Sequence, residues 1–208
     1  MPGTPTDILI QQLGLQSHPA GGYFLETDRR KTEIGTPFRP SEPDSWQFPS
    51  VHPISPATPR TSHSDAPPRA LATTIYYLLT KDSPTGIILR EKSVAYHMHH
   101  QGRMEYTLIT PGSPPKIETN VLGSDTSKGE SRMIVVDPGV WKFARLLPED
   151  LADEERAKEG CLMTMLLVPG FSLEDHEFLT PESLKALFDG VEGGEEWIRR
   201  FSDHVWRN

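Results

Sequence analysis

From residue 70 onward the chain is a succession of short apolar and β-branched segments. Eight predicted strands cover residues 73–79, 87–89, 93–99, 105–110, 116–121, 133–136, 141–146 and 161–168. Turn signals such as Pro111-Gly112 and Gly123-Ser124-Asp125 separate them. A charged stretch at 149–159 is the one predicted helical interruption. Many short strands at near-regular spacing favour an all-β fold, built as an antiparallel sandwich or barrel.

Segments of a different kind flank and interrupt these strands. Residues 7–15 have apolar residues at helical spacing and predict a short amphipathic helix. Residues 31–69 hold nine of the 20 prolines, mixed with Ser, Thr and Asp, and predict a surface insertion. Residues 180–208 begin with a capping hydroxyl followed by a proline and predict a helical C-terminal extension. We therefore expect a single domain over residues 1–208.

Length, charge and cysteine content exclude several classes of protein. A chain of 208 residues suits one domain with extensions. A net charge of −8 argues against a broad nucleic-acid surface, which needs clustered Lys and Arg. Cys161 is the only cysteine, no apolar run approaches the ~20 residues of a membrane span, and the N-terminus lacks a signal-peptide pattern. We expect a cytoplasmic protein with neither a nucleic-acid nor a membrane partner.

Residues 97–112 contain the candidate chemistry of the chain. His97 and His99 lie two residues apart on a predicted strand, so their side chains share a face. Glu105 begins the next strand and is predicted to face the two imidazoles across a tight turn. Such a trio either binds a metal or acts as an acid/base set. The alternative is an exposed polar hairpin, because residues 100–103 form a turn signal.

A lysine in a later strand is predicted to belong to the same interior. Residues 137–139 form an Asp-Pro-Gly turn, and alternation then gives Lys142 the opposite face from Trp141 and Phe143. On an interior face, the Lys142 ammonium would need a carboxylate partner, for which Glu105 is the natural candidate. In the alternative, the two aromatic residues point inward and the lysine lies on the surface.

Four further stretches, taken with residues 97–112, resemble a known family. They are His18-Pro19-x-Gly21-Gly22-Tyr23-x-x-Glu26-Thr27, Thr74-Ile75-Tyr76-Tyr77-Leu78-Leu79, Val136-Asp137-Pro138-Gly139-Val140-Trp141 and Val168-Pro169-Gly170-Phe171-x-x-Glu174-Asp175-x-Glu177. The resemblance is to the DUF985 group (cupin 5) of the cupin superfamily. The first cupin motif, G-x5-H-x-H-x3,4-E-x6-G, is matched at His97, His99, Glu105 and Gly112, with one extra residue before the glutamate.

The resemblance implies a cupin jelly-roll barrel with short N-terminal and C-terminal helices. It also implies a homodimer, since cupins commonly pair through their sheets. Metal cupins carry a further histidine ligand at the position of Lys142, where DUF985 proteins usually carry glutamine. A charged lysine is a poor ligand because a ligand nitrogen must be deprotonated. We therefore favour no cofactor; if a divalent Fe, Mn, Ni or Zn is bound, His97, His99 and Glu105 are its expected ligands.

The function that we expect is the binding of a small organic molecule of secondary or carbohydrate metabolism inside the barrel. The predicted activity is metal-independent acid/base catalysis, as in an isomerase, epimerase, cyclase or dehydratase. The predicted catalytic residues are His97, His99, Glu105 and Lys142. The residues expected to contact the ligand are Glu26, Tyr76, Arg103, Thr107, Trp141, Met163 and Met165. A dry, Met-lined pocket would instead favour a non-catalytic ligand-binding or storage cupin, and a metal-dependent oxygenase is the third alternative.

Overall fold

A computed structural model of the protein describes residues 3–35 and 67–207. These residues form thirteen strands: β1 (Gln16–Ser17), β2 (Tyr23–Arg29), β3 (Glu33–Ile34), β4 (Arg69–Ala70), β5 (Thr73–Leu79), β6 (Leu89–Glu91), β7 (Val94–Gln101), β8 (Met104–Thr110), β9 (Lys116–Leu122), β10 (Met133–Val136), β11 (Trp141–Leu146), β12 (Cys161–Val168) and β13 (His176–Phe178). One sheet has the spatial order β1-β2-β5-β12-β7-β10 and a second the order β13-β6-β11-β8-β9. The strand pairs within both sheets are antiparallel, and the sheets form a jelly-roll barrel, so the all-β prediction is confirmed.

The Pro-rich insertion predicted over 31–69 lies for the most part outside the described residues. Its two ends are described, because β3 and β4 pair with each other in a separate two-stranded sheet. Arg69 in β4 also forms a buried ion pair with Asp175, at 2.6 Å between Nε and Oδ2. The ends of the insertion are therefore held together at the body of the protein. The division of the chain into a domain, an insertion and an extension stays a prediction.

The described residues form five α-helices: α1 (Thr6–Leu13), α2 (Pro148–Ala152), α3 (Glu154–Glu159), α4 (Pro181–Leu187) and α5 (Gly194–Phe201). The predicted start of α4 is confirmed, since the Thr180 hydroxyl accepts a hydrogen bond from the Ser183 amide and Pro181 is the first helical residue. The charged stretch at 149–159 forms α2 and α3. Within the described ranges, none of these helices is long and apolar enough to cross a bilayer.

Alternation along the strands decides which side chains meet between the two sheets. On β8, Met104, Tyr106 and Leu108 take the inner positions, so the residues between them face outward. They pack against inner residues of the first sheet and of β11, namely Leu79, Ala95, Ala144, Met163 and Leu167. Full burial of one such apolar side chain contributes about 1.5–3 kcal/mol, so this layer is what joins the sheets.

The outer face of the second sheet is covered by the C-terminal extension. Trp141 and Phe143 project outward from β11 and pack under α4 and α5. The His204 ring stacks on Phe143 with 4.5 Å between ring centroids, and Phe201 is 1% exposed. Because its two neighbours in β11 face outward, Lys142 faces into the barrel.

Candidate functional site

A cavity of about 220 Å³ lies between the inner faces of the two sheets. Most of its wall is apolar, and strands β2, β5 and β12 of the first sheet supply much of it. The polar and charged residues that line it are His18, Glu26, Arg29, Thr73, Tyr77, Glu91, His97, Tyr106, Lys142 and His176. Apolar cavities with a few convergent polar groups are the usual form of small-molecule sites.

Lys142 and Glu91 form a buried ion pair at this cavity. The Lys142 Nζ donates to Glu91 Oε2 at 2.5 Å, and the two side chains are 6% and 5% exposed. The same ammonium also donates to His97 Nε2 at 3.4 Å and points at Met165 Sδ at 3.9 Å. Its three N–H groups are thus directed at a carboxylate, an imidazole and a thioether, of which the thioether is the weakest acceptor.

His97 continues this hydrogen-bonded chain into the second sheet. Because its Nε2 accepts from Lys142, its Nδ1 carries the ring proton and donates to the Tyr106 hydroxyl at 2.5 Å. That hydroxyl in turn points its hydrogen at Met163 Sδ, 3.3 Å away. The charge on Lys142 therefore fixes the tautomer of His97, and through it the orientation of Tyr106.

Burial and charge set the protonation states of this cluster. Burial, and then the neighbouring Lys142 charge, hold the pKa of His97 well below its ordinary value, so the imidazole is neutral. Burial alone would raise the pKa of Glu91, but Lys142 and His176 outweigh it and lower the pKa to about 2. Burial raises the pKa of Tyr106 well above its ordinary value. At neutral pH the cluster holds one anion, one cation, a neutral imidazole and a phenol.

His176 carries a buried nitrogen that lacks a hydrogen-bond partner. Its Nδ1 lies 3.5 Å from Glu91 Oε1 but makes no hydrogen bond to it, and the side chain is 8% exposed. Within residues 3–35 and 67–207, it is the one buried side-chain nitrogen or oxygen atom with this property. Buried polar atoms are almost always paired, so an orphan atom at a cavity wall indicates a group prepared for a ligand or a proton.

The turn before β2 places a third imidazole at the cavity. His18 Nδ1 accepts from the Ala20 amide at 3.0 Å, which leaves the ring proton on Nε2. The turn needs glycine, because Gly21 has a φ of +91° and a Cβ there would lie 2.3 Å from the Thr85 carbonyl oxygen. The positive φ and the close contact explain the Gly-Gly pair as a backbone requirement. Burial, and then nearby His176, lower the pKa of His18 to about 4.

The predicted trio is not assembled, because Glu105 faces away from the cavity. Tyr106 takes the inner position on β8, and Glu105 forms an ion pair with Arg145 at 2.7 Å instead of pairing with Lys142. His99 shares the face of His97, but its Nε2 donates to the Gly102 carbonyl at 2.6 Å and its ring does not line the cavity. The predicted contact between Glu105 and the two histidines is therefore wrong.

Four of the predicted ligand contacts also lie elsewhere. Tyr76 is on the outer face of the first sheet, where it packs in the cluster beneath α1, and Tyr77 takes the cavity position. Thr107 and Trp141 occupy outer positions of the second sheet, because side chains alternate and their neighbours Tyr106 and Lys142 face inward. Arg103 is held by carboxylates at the far end of β8. The remaining three predicted contacts do line the cavity, namely Glu26, Met163 and Met165.

The three conditional metal ligands do not converge on one point. His97 has both ring nitrogens engaged, His99 is bonded to a turn, and Glu105 is on the opposite face of its sheet. Across the described part of the chain, no three or more His, Cys, Asp or Glu side chains are grouped to hold a metal ion. The donor set that the cupin motif implies for a metal thus does not fit this site.

Sequence reasoning missed Glu91, Tyr106 and His176. Glu91 was within reach, because alternation from the predicted strand at 87–89 gives residues 87, 89 and 91 one face, and all three line the cavity. Tyr106 required the correct parity of β8. His176 follows a short helical turn after β12, inside the stretch 168–177 that carries the family resemblance, but its packing against Glu91 depends on the pairing of β13 with β6.

The molecule is a jelly-roll barrel of the cupin class. Two antiparallel sheets face each other around a cavity, and the ionisable groups lie on their inner faces. A family model described as "Cupin superfamily (DUF985)" matches residues 7–179, and the chain belongs to this family. An uncharacterized protein of Saccharomyces cerevisiae, YML079W, is 32% identical over 184 residues, which cover 88% of this chain and 80% of that protein.

Two solved structures share the fold over nearly the whole chain. A hypothetical protein from Leishmania major superimposes with a TM-score of 0.70 at 20% identity, over 98% of this chain and 100% of that one. A protein from Shewanella oneidensis, SO0799, has a TM-score of 0.66 at 18% identity, over 99% of both chains. Both similarities concern the fold.

Proposed function

We propose that the cavity binds a small organic molecule and catalyses proton transfer on it without a metal, as an isomerase or lyase does. The observation that carries this proposal is the orphan Nδ1 of His176 beside the buried Glu91–Lys142 pair. Ion pairs that only stabilise a fold have no need of an unpaired imidazole at an open cavity. Strongly perturbed ionisable groups in a cleft are typical of active sites.

Lys142 is the group that would bind an oxygen of the ligand. Two of its N–H groups are held by Glu91 and His97, while the third meets only the Met165 sulfur at 3.9 Å. A carbonyl or hydroxyl oxygen is a much better acceptor than a thioether and would take this third position. An ammonium group at a carbonyl oxygen stabilises the negative charge that develops there when a neighbouring C–H bond is deprotonated.

His176 is the group that would accept the proton. Its imidazole faces Glu91, which is ionised at neutral pH and would stabilise the imidazolium once formed. Return of the proton to a different atom, or loss of a leaving group, completes an isomerisation or an elimination. In this scheme the catalytic residues are Lys142 and His176, while His97 and Glu91 position them through their contacts with the Lys142 ammonium and the His176 ring.

The same walls also favour a second function, binding without catalysis. The thioether groups of Met163 and Met165 face the cavity, and such side chains adapt to ligands of different shapes. A storage or carrier cupin would use this adaptable surface while the ion pair merely orients the ligand.

One experiment separates the two functions. Small carbonyl compounds are screened in D2O by ligand-observed NMR, and each binder is followed for exchange of its α-hydrogens for deuterium. We expect the wild type to bind and exchange, His176→Asn to bind without exchanging, and Lys142→Met to lose binding. Glu105→Gln is the matched control, since its carboxylate faces away from the cavity. Binding by the wild type without any exchange supports the non-catalytic function, and unaltered binding by Lys142→Met contradicts both.

We also propose a homodimer formed through the first sheet. Edge strand β10 exposes Met133 and Val135, at 52% and 43% of their surface, on the face away from the cavity. A second copy would bury these apolar residues. Light scattering should give twice the chain mass for the wild type and a monomer for Met133→Lys/Val135→Lys; a monomeric wild type would contradict the proposal.

The cytoplasmic location stays a prediction.

A further inference from the structure

Strand β2 has a β-bulge at the edge of the cavity. Glu26 pairs with Ile75 and Asp28 with Thr74, so Thr27 has no partner residue in β5. The Thr27 hydroxyl bonds to Thr74, at 2.7 Å from its Oγ1 and 3.1 Å from its carbonyl oxygen. The extra residue is therefore held on the outer side of the sheet by side-chain hydrogen bonds.

The bulge changes which charges face inward. Without it, alternation from Glu26 would turn Asp28 inward and Arg29 outward. With it, Arg29 pairs with Thr73, an inner residue, and both Glu26 and Arg29 line the cavity. Bulges often re-aim a side chain next to a functional site. Here the bulge exchanges an anion for a cation at the cavity wall.

Arg29 retains donors for a ligand. Its Nε and Nη2 bind the two carboxylate oxygens of Glu26 at 3.0 and 2.6 Å, and its Nη1 donates to the Phe171 carbonyl at 3.0 Å. A guanidinium has five N–H groups, so two have no acceptor among the described residues. The pair is 44% and 39% exposed, which places it at the mouth, whereas Lys142 is buried.

The two cationic groups lie at different places along the cavity wall. Arg29 is paired with Thr73 in β5, and Thr73 is paired with Leu167 in β12, two residues along that strand from Met165, which lies beside the Lys142 ammonium. Two strand spacings separate the backbones of β2 and β12, which is about 10 Å. Between them the wall is formed by apolar side chains that include Ile75 and Leu167.

We propose that Arg29 recognises a carboxylate at the outer end of the ligand. This inference rests on the proposed function and names its substrate class: a small organic acid with an apolar body and a carbonyl or hydroxyl oxygen at the other end. The inner oxygen binds Lys142 and the carboxylate binds the free edge of Arg29. Arg29 is a specificity-determining residue, and Glu26 holds its guanidinium in place while competing with the ligand for it.

The test compares matched ligands by calorimetry. The probes are 3-benzoylpropanoate, its neutral primary amide, and a phosphate monoester of the same length. We expect the acid to bind at least tenfold more tightly than the amide. Arg29→Gln should remove this preference by weakening the binding of the acid alone, and Arg29→Lys should restore part of the preference. Glu26→Gln should strengthen the binding of the acid, because it removes the competing anion. Arg30→Gln is the control, since Arg30 is exposed and does not line the cavity.

The outcomes separate this inference from the proposed function. Equal binding of acid and amide, with both lost in Lys142→Met, overturns the role of Arg29 and leaves the Lys142 site intact. An acid preference that Arg29→Gln removes but Lys142→Met does not alter supports Arg29 and contradicts the proposed inner site. Tighter binding of the phosphate monoester than of the acid overturns the carboxylate assignment. The absence of binding by any probe to the wild type overturns the substrate class.

Discussion

Two charge clusters, each with buried carboxylates, lie at different ends of the barrel strands and differ in how fully they are paired. The cavity cluster consists of Glu91, His97, Lys142 and His176. The end cluster, near the opposite ends of β8 and β11, consists of Arg103, Glu130, Asp150 and Arg156. In the end cluster, Asp150 accepts from both arginines and Glu130 accepts from Arg103 and from a backbone amide. In the cavity cluster, the Nδ1 of His176 remains unpaired.

The difference shows that burial and charge alone do not mark a functional site. Burial would raise the pKa of Asp150, but hydrogen bonds from Arg103 and Arg156 outweigh it and lower the pKa, much as Lys142 does for Glu91. The cavity cluster, in contrast, lines the cavity and leaves one ammonium donor facing a weak acceptor, the Met165 sulfur. The clusters should therefore respond differently to mutation: both contribute to stability, and one also contributes to binding.

The largest effect is expected from breaking the buried ion pair of the cavity cluster. Lys142→Met leaves the Glu91 carboxylate buried without its partner, which should lower the free energy of unfolding by about 3–5 kcal/mol. Adding Glu91→Gln removes the stranded charge, so the double variant should be more stable than Lys142→Met alone. Urea denaturation at pH 7 measures both. Glu91→Gln alone completes the comparison. If the double variant loses as much unfolding free energy as the two single variants together, the two groups are not coupled.

Acidification should weaken the cavity region in two successive steps. His18 has a pKa of about 4 when folded and an ordinary value of 6.5, so its contribution is complete above pH 6.5 and is lost between pH 6.5 and 4. Glu91, at about 2 against 4.5, adds a further loss below pH 4.5. The His18 step is of the order of 3 kcal/mol at most.

Urea denaturation at pH 7, 5.5 and 4 measures this dependence. His18→Asn keeps an oxygen that can accept from the Ala20 amide but does not titrate. It should therefore reduce the slope between pH 6.5 and 4, where His97 also contributes, and leave the Glu91 step in place. An unchanged slope in this variant would show that His18 is not the group responsible.

A smaller loss is expected in the end cluster. Arg103→Gln removes the hydrogen bonds to Asp150 and Glu130, but Arg156 still neutralises Asp150. Loss of charged hydrogen bonds at this partly exposed arginine should cost about 2 kcal/mol. Ligand affinity, measured by calorimetry on the folded variant, should not change. Weaker binding in Arg103→Gln would break the distinction between the two clusters.

The smallest effect is expected at Glu105, the carboxylate that the cupin motif singles out. Its ion pair with Arg145 is partly exposed, so Glu105→Gln should cost less than about 1 kcal/mol. Binding and any α-hydrogen exchange should match the wild type. Loss of exchange in a variant that remains folded would restore Glu105 to the catalytic group.

Side chains alternate between the two faces of a strand, so an error of one residue assigns a side chain to the wrong face. This explains why the sequence predicts the face of Lys142 but not that of Glu105. Alternation along β11 starts at a clear Pro-Gly turn, and Lys142 lies inward as expected. The cupin motif has one extra residue before Glu105, and a shift of one residue exchanges the two faces of a strand. The inner position thus goes to Tyr106, which bonds to His97.

Long-range pairing explains the rest of what the sequence does not predict. Glu91 and Lys142 are 51 positions apart, and their contact depends on the placement of β6 beside β11. The Thr27 bulge interrupts the alternation of β2 in a way that propensity does not signal. The all-β class, the family and the inward lysine are predictable because they follow from local periodicity and motif spacing. The partners of the lysine are set by topology.

The position of β12 has a consequence for the order in which the molecule is made. β12 lies between β5 and β7 in the first sheet, although it is synthesised after both. Until residues 161–168 have left the ribosome, the two halves of that sheet share no neighbour, and the cavity has no wall on that side. The barrel must therefore close late in synthesis, when β12 inserts between β5 and β7, which are already synthesised. Such non-local pairing is characteristic of slow-folding β proteins.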